Sequence, residues 1–454
     1  MNKSIAFLQS INTVKEIPDT VLSRARQSLL DYLAVTSAGA KFQSKKIKEY
    51  IKFAAPEPGE FTVIGIMECL ALKEAVFLNG LNGHALDFDD GTNSGIIHLG
   101  SPIFSLLLPL AQRYNIKLED MLKAAVIGYE ASYTMAVTIQ PRHKELGFHA
   151  TGTCGVLGAT IAASYMLDFT EEERFQAFAI ACVSATGMLK VLDDGSELKP
   201  YNVAKTVLLA LTSLQMAKAG FKGHPDPLGG NRGYFKMMTG QEDIELKQVL
   251  LNGTYAIMKS YTKPYASCRY THPSVEAAIH LRNKYGLKAE EVERIDIKTY
   301  SLAVNGHDHT EILGSYSAKM SIPYSTAAGI IYGRAGLQEF DEKSVKDENV
   351  LSLTKKIHVV TDEKLSEVFP KIQAAVVAIK TKNGVMSERV DFPKGEPENP
   401  LNDEEFRKRY DELMKYAGIE PNIGGKIFGF VHKDGVTVKD ILKFFECREE
   451  VSRE

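Results

Sequence analysis

The chain has 454 residues, 54 of them basic and 57 acidic, for a net charge of -3 at neutral pH. That length calls for two domains rather than one core, and the near balance of charge, with no basic run, argues against nucleic acid or an anionic membrane as the main partner. No apolar run is long enough for a membrane span. Residues 1–10 lack the apolar stretch of a signal peptide. The cysteines, Cys69, Cys154, Cys182, Cys268 and Cys447, form no paired motif, which fits a reducing compartment and speaks against an iron–sulfur cluster. The expected location is cytoplasmic. Neither a P-loop nor the glycine fingerprint of a dinucleotide site is present.

Up to residue 262 the chain reads as helix after helix. Leu22, Ala25, Leu29 and Leu33 recur at helical spacing behind Pro18-Asp19, a start signal. Asp87-Phe88-Asp89-Asp90 follows Asn82-Gly83-His84 and precedes His98. Gly91, Asn93, Ser94 and Gly95 mark this stretch as a loop. Carboxylates this close together cannot all ionise freely, so at least one is expected to hold its proton more tightly. Beside a histidine, such a carboxylate can hold a proton donor and acceptor near neutral pH. The alternative is a solvated acidic loop that caps two helices. Ser101-Pro102 reads as an N-cap and first helical residue, which would favour an anion near His98.

Residues 101–112 and 121–139 are the next predicted helices, the first apolar on most sides and therefore buried. Gly147-Phe148-His149 leads into Gly152, Gly155, Gly158, Ala159, Ala162 and Ala163, a helix of small residues expected at the centre of the bundle. Its start offers backbone N–H groups to an anion; packing of His149 at a helix end is the plainer reading. Thr170 and Glu173 form a capping box. Asp193-Asp194-Gly195-Ser196 leads to Lys199, read as a loop lysine ahead of a helix over 202–220. It can neutralise a carboxylate or carry a proton if desolvated, or simply face water.

Lys263-Pro264-Tyr265 and Cys268-Arg269-Tyr270-Thr271-His272 stand where the pattern changes. Arginine can hold a carboxylate with two parallel hydrogen bonds, and lysine, tyrosine and histidine can carry protons. Nothing adjacent marks Cys268 as a reactive thiol. Beyond it, 292–300 alternates as a strand, 357–360 is β-branched, and 374–381 and 385–391 flank Lys382-Asn383-Gly384, where Asn-Gly suits a type I′ hairpin turn. Helices are expected at 273–285 and 322–332. The fold class is mainly α: an all-helical domain (1–262) with an inserted α+β domain carrying a mainly antiparallel sheet (263–398), and a return to the helical domain (399–454) across the segment 393–400. The clusters have no metal-ligand spacing such as HExxH or CxxC. A site gathered from them would be cationic and suited to proton transfer on a polycarboxylate.

In Asn82-Gly83-His84-Ala85-Leu86-Asp87-Phe88-Asp89-Asp90 with His98, in Gly147-Phe148-His149, in Asp194-Gly195-Ser196 with Lys199, and in Lys263-Pro264-Tyr265 with His272, the chain resembles the MmgE/PrpD family. The late Gly-Glu-Pro-Glu-Asn-Pro at 395–400 also looks like that family's linker. The family includes 2-methylcitrate dehydratase, cis-aconitate decarboxylase and iminodisuccinate epimerase. The resemblance implies a helical domain with a smaller α+β domain, a homodimer, and catalysis without cofactor or metal. By position, Asp87, His98, His149, Lys199 and Lys263 match site residues of the decarboxylase branch, and His272 a further basic position; Arg269 and Tyr270 join His272 as expected substrate-binding residues. Gly91 stands where threonine is usual and Leu99 where proline is usual, while Cys268-Arg269-Tyr270-Thr271-His272 looks more like the epimerase-type branch. The implied activity is a dehydratase or other lyase acting on a small di- or tricarboxylate. An epimerase is the alternative within the family. A non-catalytic carboxylate-binding protein would need only the cations Lys199, Lys263 and Arg269. A metal-dependent hydrolase would use Asp87, Asp89, Asp90 and His98 as ligands.

Overall fold

A computed structural model of the chain describes residues 2–14, 16–66, 68–191, 196–250 and 253–446. Among these, no helix is long and apolar enough to cross a membrane. The architecture is mainly α with a smaller α+β part. Two compact units emerge: Met1–Leu189, Lys199–Ser260 and Glu404–Glu454 form the first, and Lys190–Leu198 with Tyr261–Asp403 the second. Residues 192–195, which include the Asp193-Asp194-Gly195 ahead of Lys199, and Cys447 lie outside the described residues.

The first unit is a bundle whose long helices include Asp19–Phe42, Leu72–His84, Gly100–Tyr114, Leu118–Ile139, Glu171–Ser184 and Lys199–Lys218. At its centre the helix Gly155–Met166 packs on four of these, 100–114, 118–139, 171–184 and 199–218. Close approach explains its small residues: a Cβ on Gly158 would sit 1.8 Å from Ser132 Oγ. The expected single helix from Gly152 is broken at Cys154, which joins a short turn of helix, Ala150–Thr153, to the central one. The Thr170–Glu173 capping box is present.

The unit is not wholly helical. Strand β1, Pro58–Thr62, pairs antiparallel with β2, Cys69–Leu70. Side chains from two helices satisfy its backbone. Gln112 accepts from Thr62 N at 3.0 Å and donates to Glu60 O at 3.0 Å, while Asn79 accepts from Ile64 N at 2.8 Å. Those partners lie far along the chain, so no local signal marks the pair.

In the second unit four strands lie in the order β4-β3-β5-β6, with β3 Val292–Thr299, β4 Ile357–Thr361, β5 Ala375–Thr381 and β6 Gly384–Val390. Only β3 and β4 run parallel. Val292, Ile295, Ile297 and Thr299 are the buried residues of β3, and the helix His272–Tyr285 packs on β5 and β6. The hairpin forms, but not by a type I′ turn. Thr381 pairs with Gly384, Lys382 and Asn383 keep negative φ, and Gly384 takes the unusual step at φ 125°. The segment 393–400 is also not a free crossing. Gly395, at φ 90°, accepts from Thr262 N through its carbonyl at 2.9 Å, and a Cβ there would meet Thr262 O at 1.9 Å. Only glycine tolerates that approach. Glu276 accepts from Lys394 N at 2.6 Å, so this stretch is built into the second unit.

Candidate active site

The helix Leu72–His84 ends on His84, and the chain then loops to Gly100, where the next helix starts. Asp87 (φ 50°) and Ile96 (φ 49°) both adopt left-handed backbone in this loop. That conformation costs a non-glycine residue of order 1–3 kcal/mol and is typical of functional loops. The loop is not a solvated acidic surface. Asp87, Asp89 and Asp90 are 4%, 2% and 5% exposed.

The three carboxylates have separate jobs. Asp90 is a structural cap: Gly100 N donates to Oδ1 at 2.8 Å and Tyr129 OH donates to Oδ2 at 2.7 Å. Burial pushes its pKa up, opposed by those two hydrogen bonds. It occupies the helix start that Ser101-Pro102 was expected to cap, so that helix end is not open to a substrate anion. Ser101 instead turns its Oγ to Asp89 Oδ2 (2.8 Å) and Gly83 O (2.9 Å).

Asp89 lies between two histidines. His84 Nδ1 is 2.8 Å from Oδ2, and His98 Nδ1 is 3.3 Å from Oδ1. Burial would raise the pKa of Asp89, but His84 and His98 outweigh it and hold the carboxyl well below its usual range. Burial in turn lowers the pKa of His84 to about 4 despite Asp89. The pair is therefore a carboxylate and a neutral imidazole that donates from Nδ1. His84 Nε2 is buried and has no hydrogen-bond partner among the described residues.

Asp87 turns the other way. Lys199 Nζ is 2.6 Å from its Oδ1, and His98 Nε2 is 3.7 Å from the same oxygen. Lys199 is not a loop lysine in water. It opens the helix Lys199–Lys218 and is buried. Acid and base groups thus run in line: Lys199, Asp87, His98, Asp89, His84. The His98 ring lies 4.6 Å from that of His84, and the His149 ring 5.8 Å from His84 on another side. Thr151 Oγ1 accepts from His98 N at 3.1 Å, tying the loop to the segment that carries His149. His149 is buried, and burial together with His84, Lys199 and His98 presses its pKa well below the usual value.

His84, Asp89 and His98 each offer a ligand atom within 4.8 Å of the other two, close enough to hold a metal ion. The 2.8 Å approach of His84 to Asp89 is that of a hydrogen bond, which a proton on Nδ1 accounts for fully.

Four candidates belong to the second unit. Lys263 is buried there. Arg269, expected to clamp a substrate carboxylate, already holds one from this chain, because its Nε pairs with Glu396. Tyr270 packs edge-on against Tyr300 and His307. His272 Nε2 is 3.3 Å from Ser267 O, with its ring against Tyr265.

Sequence reasoning passed over His84, the place of Asp89 between two histidines, and Asn202, whose Nδ2 lies 3.2 Å from His149 Nδ1. In the sequence His84 is marked only as a flank of the acidic run and as part of the family-like motif. Asn202 sits three residues after Lys199, hence on the same helix face, which is a usable signal.

Nearby, His143 bonds Met238 O and Thr153 Oγ1 at 3.0 and 2.8 Å. Burial lowers its pKa to about 4, against the opposing pull of Met238 O. The unfolded chain takes up this proton near pH 6.5, so the stability His143 contributes is complete above that pH and is lost as pH falls towards 4. Urea unfolding should show wild type losing its advantage over His143→Gln by about 1.4 kcal/mol per pH unit in that window. A pH-independent difference would contradict the buried neutral state.

The N-terminal domain of the MmgE/PrpD family matches residues 6–247, and the C-terminal domain of the same family matches residues 265–420. Cis-aconitate decarboxylase of Aspergillus terreus is 24% identical over 424 residues, covering 88% of this chain and 86% of the fungal protein. The Mus musculus protein of that name is 24% identical over 417 residues, 87% of this chain and 83% of its own length. The Homo sapiens one is 22% identical over 447 residues, 92% and 90% of the two chains.

Proposed function

The chain belongs to the MmgE/PrpD family, and from that premise we propose that it is a cofactor-independent acid–base enzyme, a lyase that moves a proton at the carbon next to a carboxylate of a small di- or tricarboxylate. The observation that carries this reading is the buried contact of Lys199 Nζ with Asp87 Oδ1 at 2.6 Å, with His98 Nε2 3.7 Å from the same oxygen. A cation, a carboxylate and an imidazole in one dry place are what such a step needs. Lys199 supplies positive charge for a substrate carboxylate. Asp87 and His98 are the pair that removes or delivers the proton. Asp89 orients His98 and balances charge that forms on it. By family resemblance Lys263 is a further candidate, with Arg269, Tyr270 and His272 as proposed substrate-binding residues.

The same groups serve two outcomes. In dehydration a proton goes to the leaving hydroxyl. In decarboxylation a proton goes to the carbon that loses carbon dioxide. The names of the similar proteins put cis-aconitate first among substrates to try. The Cys268-Arg269-Tyr270-Thr271-His272 segment keeps epimerisation as the second reading. A homodimer is part of the proposal, on the family resemblance.

The test is product mass after incubation in deuterium oxide with cis-aconitate, 2-methylcitrate and iminodisuccinate. Decarboxylation or dehydration removes carbon dioxide or water; epimerisation changes mass only by exchanged deuterium. Activity is expected to survive treatment with a chelator. Folded protein that turns over none of these polycarboxylates would count against the reading, and loss of activity to chelator, restored by metal, would move it to the His84–Asp89–His98 cluster.

A further inference from the structure

Asn202 lies one turn into the helix that Lys199 opens, and it is buried. Its Nδ2 lies 3.3 Å from the Met188 carbonyl oxygen and 3.2 Å from His149 Nδ1. A carbonyl oxygen only accepts, so the amide group facing Met188 is the NH2 and not the oxygen. The same NH2 faces His149 Nδ1, and that nitrogen must therefore offer a lone pair. A neutral imidazole that accepts at Nδ1 carries its proton on Nε2.

The backbone holds these parts in place. His149 N donates to Gly187 O at 3.2 Å, and Phe148 pairs with Met188 as an isolated β-bridge. The segment that presents the Met188 carbonyl is thus fastened to the one that presents His149. Gly187 permits it, because a Cβ there would come within 2.8 Å of His149 O. The charged surroundings agree. Burial is the first cause that disfavours a second proton on this ring, Lys199 adds to it, and Asp87 opposes them weakly.

We propose that Asn202 is a positioning residue that fixes His149 as its Nε2–H tautomer, so that His149 donates a hydrogen bond to a substrate carboxylate and does not take a proton from its carbon. The role given to His149 rests on the acid–base reading above; the tautomer does not. A neutral donor suits a carboxylate on which negative charge grows as the neighbouring carbon gives up a bond. It also leaves the proton transfer to Asp87 and His98.

Nitrogen-15 spectra of histidine-labelled protein test this directly, with His149→Gln identifying the signal. His149 should be protonated on Nε2 alone and should not titrate between about pH 6 and pH 8. A proton on Nδ1, or a titration in that range, would overturn the proposal whatever the activity. Asn202→Asp, which places an acceptor where the amide donated, should bring a proton to Nδ1 and lower kcat by about 100-fold or more on the identified substrate. Asn202→Leu should lower kcat without a defined tautomer. A shifted tautomer with unchanged kcat would overturn the donor role. If wild type turns over no polycarboxylate, the acid–base reading falls, and the wild-type spectrum still decides the tautomer.

Discussion

Replacing His98 by glutamine is expected to lower kcat by about 100- to 10,000-fold, the usual contribution of a general acid or base, while the protein stays folded. Glutamine is similar in length and keeps hydrogen-bonding capacity, and the Thr151 hydroxyl still holds the backbone at this position. What is lost is a group that can carry a proton between two carboxylates, Asp87 at 3.7 Å and Asp89 at 3.3 Å. Asp87→Asn should have a comparable effect for two reasons. It removes one partner of His98, and it removes the carboxylate that Lys199 contacts at 2.6 Å. If the pair acts as a unit, the double variant should lose little beyond either single one. The check is kcat and the thermal midpoint of each variant with the identified substrate. Near-normal turnover by a folded His98→Gln protein would remove His98 from the proton-transfer role and leave Lys263 as the next candidate.

Local pattern made part of this site legible. Helices such as Asp19–Phe42 and Ile322–Tyr332 follow from apolar spacing and start signals. The acidic loop with its histidine stood out because so many titratable side chains fall together between two helices. Its burial did not show, because what covers a loop is decided by distant segments. Asp90 was indistinguishable from its neighbours by type. Its job as a cap depends on the Gly100 backbone and on Tyr129, and a side chain at 100 would collide with Asp90 itself, at 2.9 Å. His84 meets Asp89 because the chain turns back through left-handed Asp87, a conformation that is uncommon even for aspartate. Lys199 read as a loop lysine because the polar run before it hid the helix start, which comes three residues before the apolar pattern begins.

The residue that covers the acidic loop comes from the far end of the chain, and its loss is the largest stability effect expected in the first unit. Arg409, on the helix Asp403–Tyr416, pairs through Nη1 with Asp31 Oδ1 on the helix Asp19–Phe42. Its Nη2 donates to Phe88 O at 2.9 Å, and its guanidinium lies 4.3 Å from the Phe88 ring. Phe88 sits between Asp87 and Asp89, so this arginine fastens the loop at its middle. Burial raises the pKa of Asp31 to about 6, with Arg409 opposing the rise and Asp90 adding to it. Arg409→Met strands that carboxyl in the core and should cost about 3–5 kcal/mol near neutral pH. The sign with pH follows from the raised value. The folded protein binds the Asp31 proton more tightly than the unfolded chain, so ionising Asp31 works against folding, and more so once its cation is gone. The deficit of Arg409→Met relative to wild type should therefore be greatest at and above neutral pH. It should shrink as pH falls towards about 6, because Asp31 without its cation takes up a proton at a higher pH than in wild type, and below about 6 the carboxyl is neutral in both proteins. Adding Asp31→Asn to Arg409→Met should recover part of the loss near neutral pH, because it removes the stranded charge. Urea unfolding of the three proteins at about pH 8 and about pH 5 measures both effects. A deficit that is the same at both values, or a double variant no more stable than Arg409→Met, would mean that Arg409 acts through packing on Phe88 alone and not through Asp31.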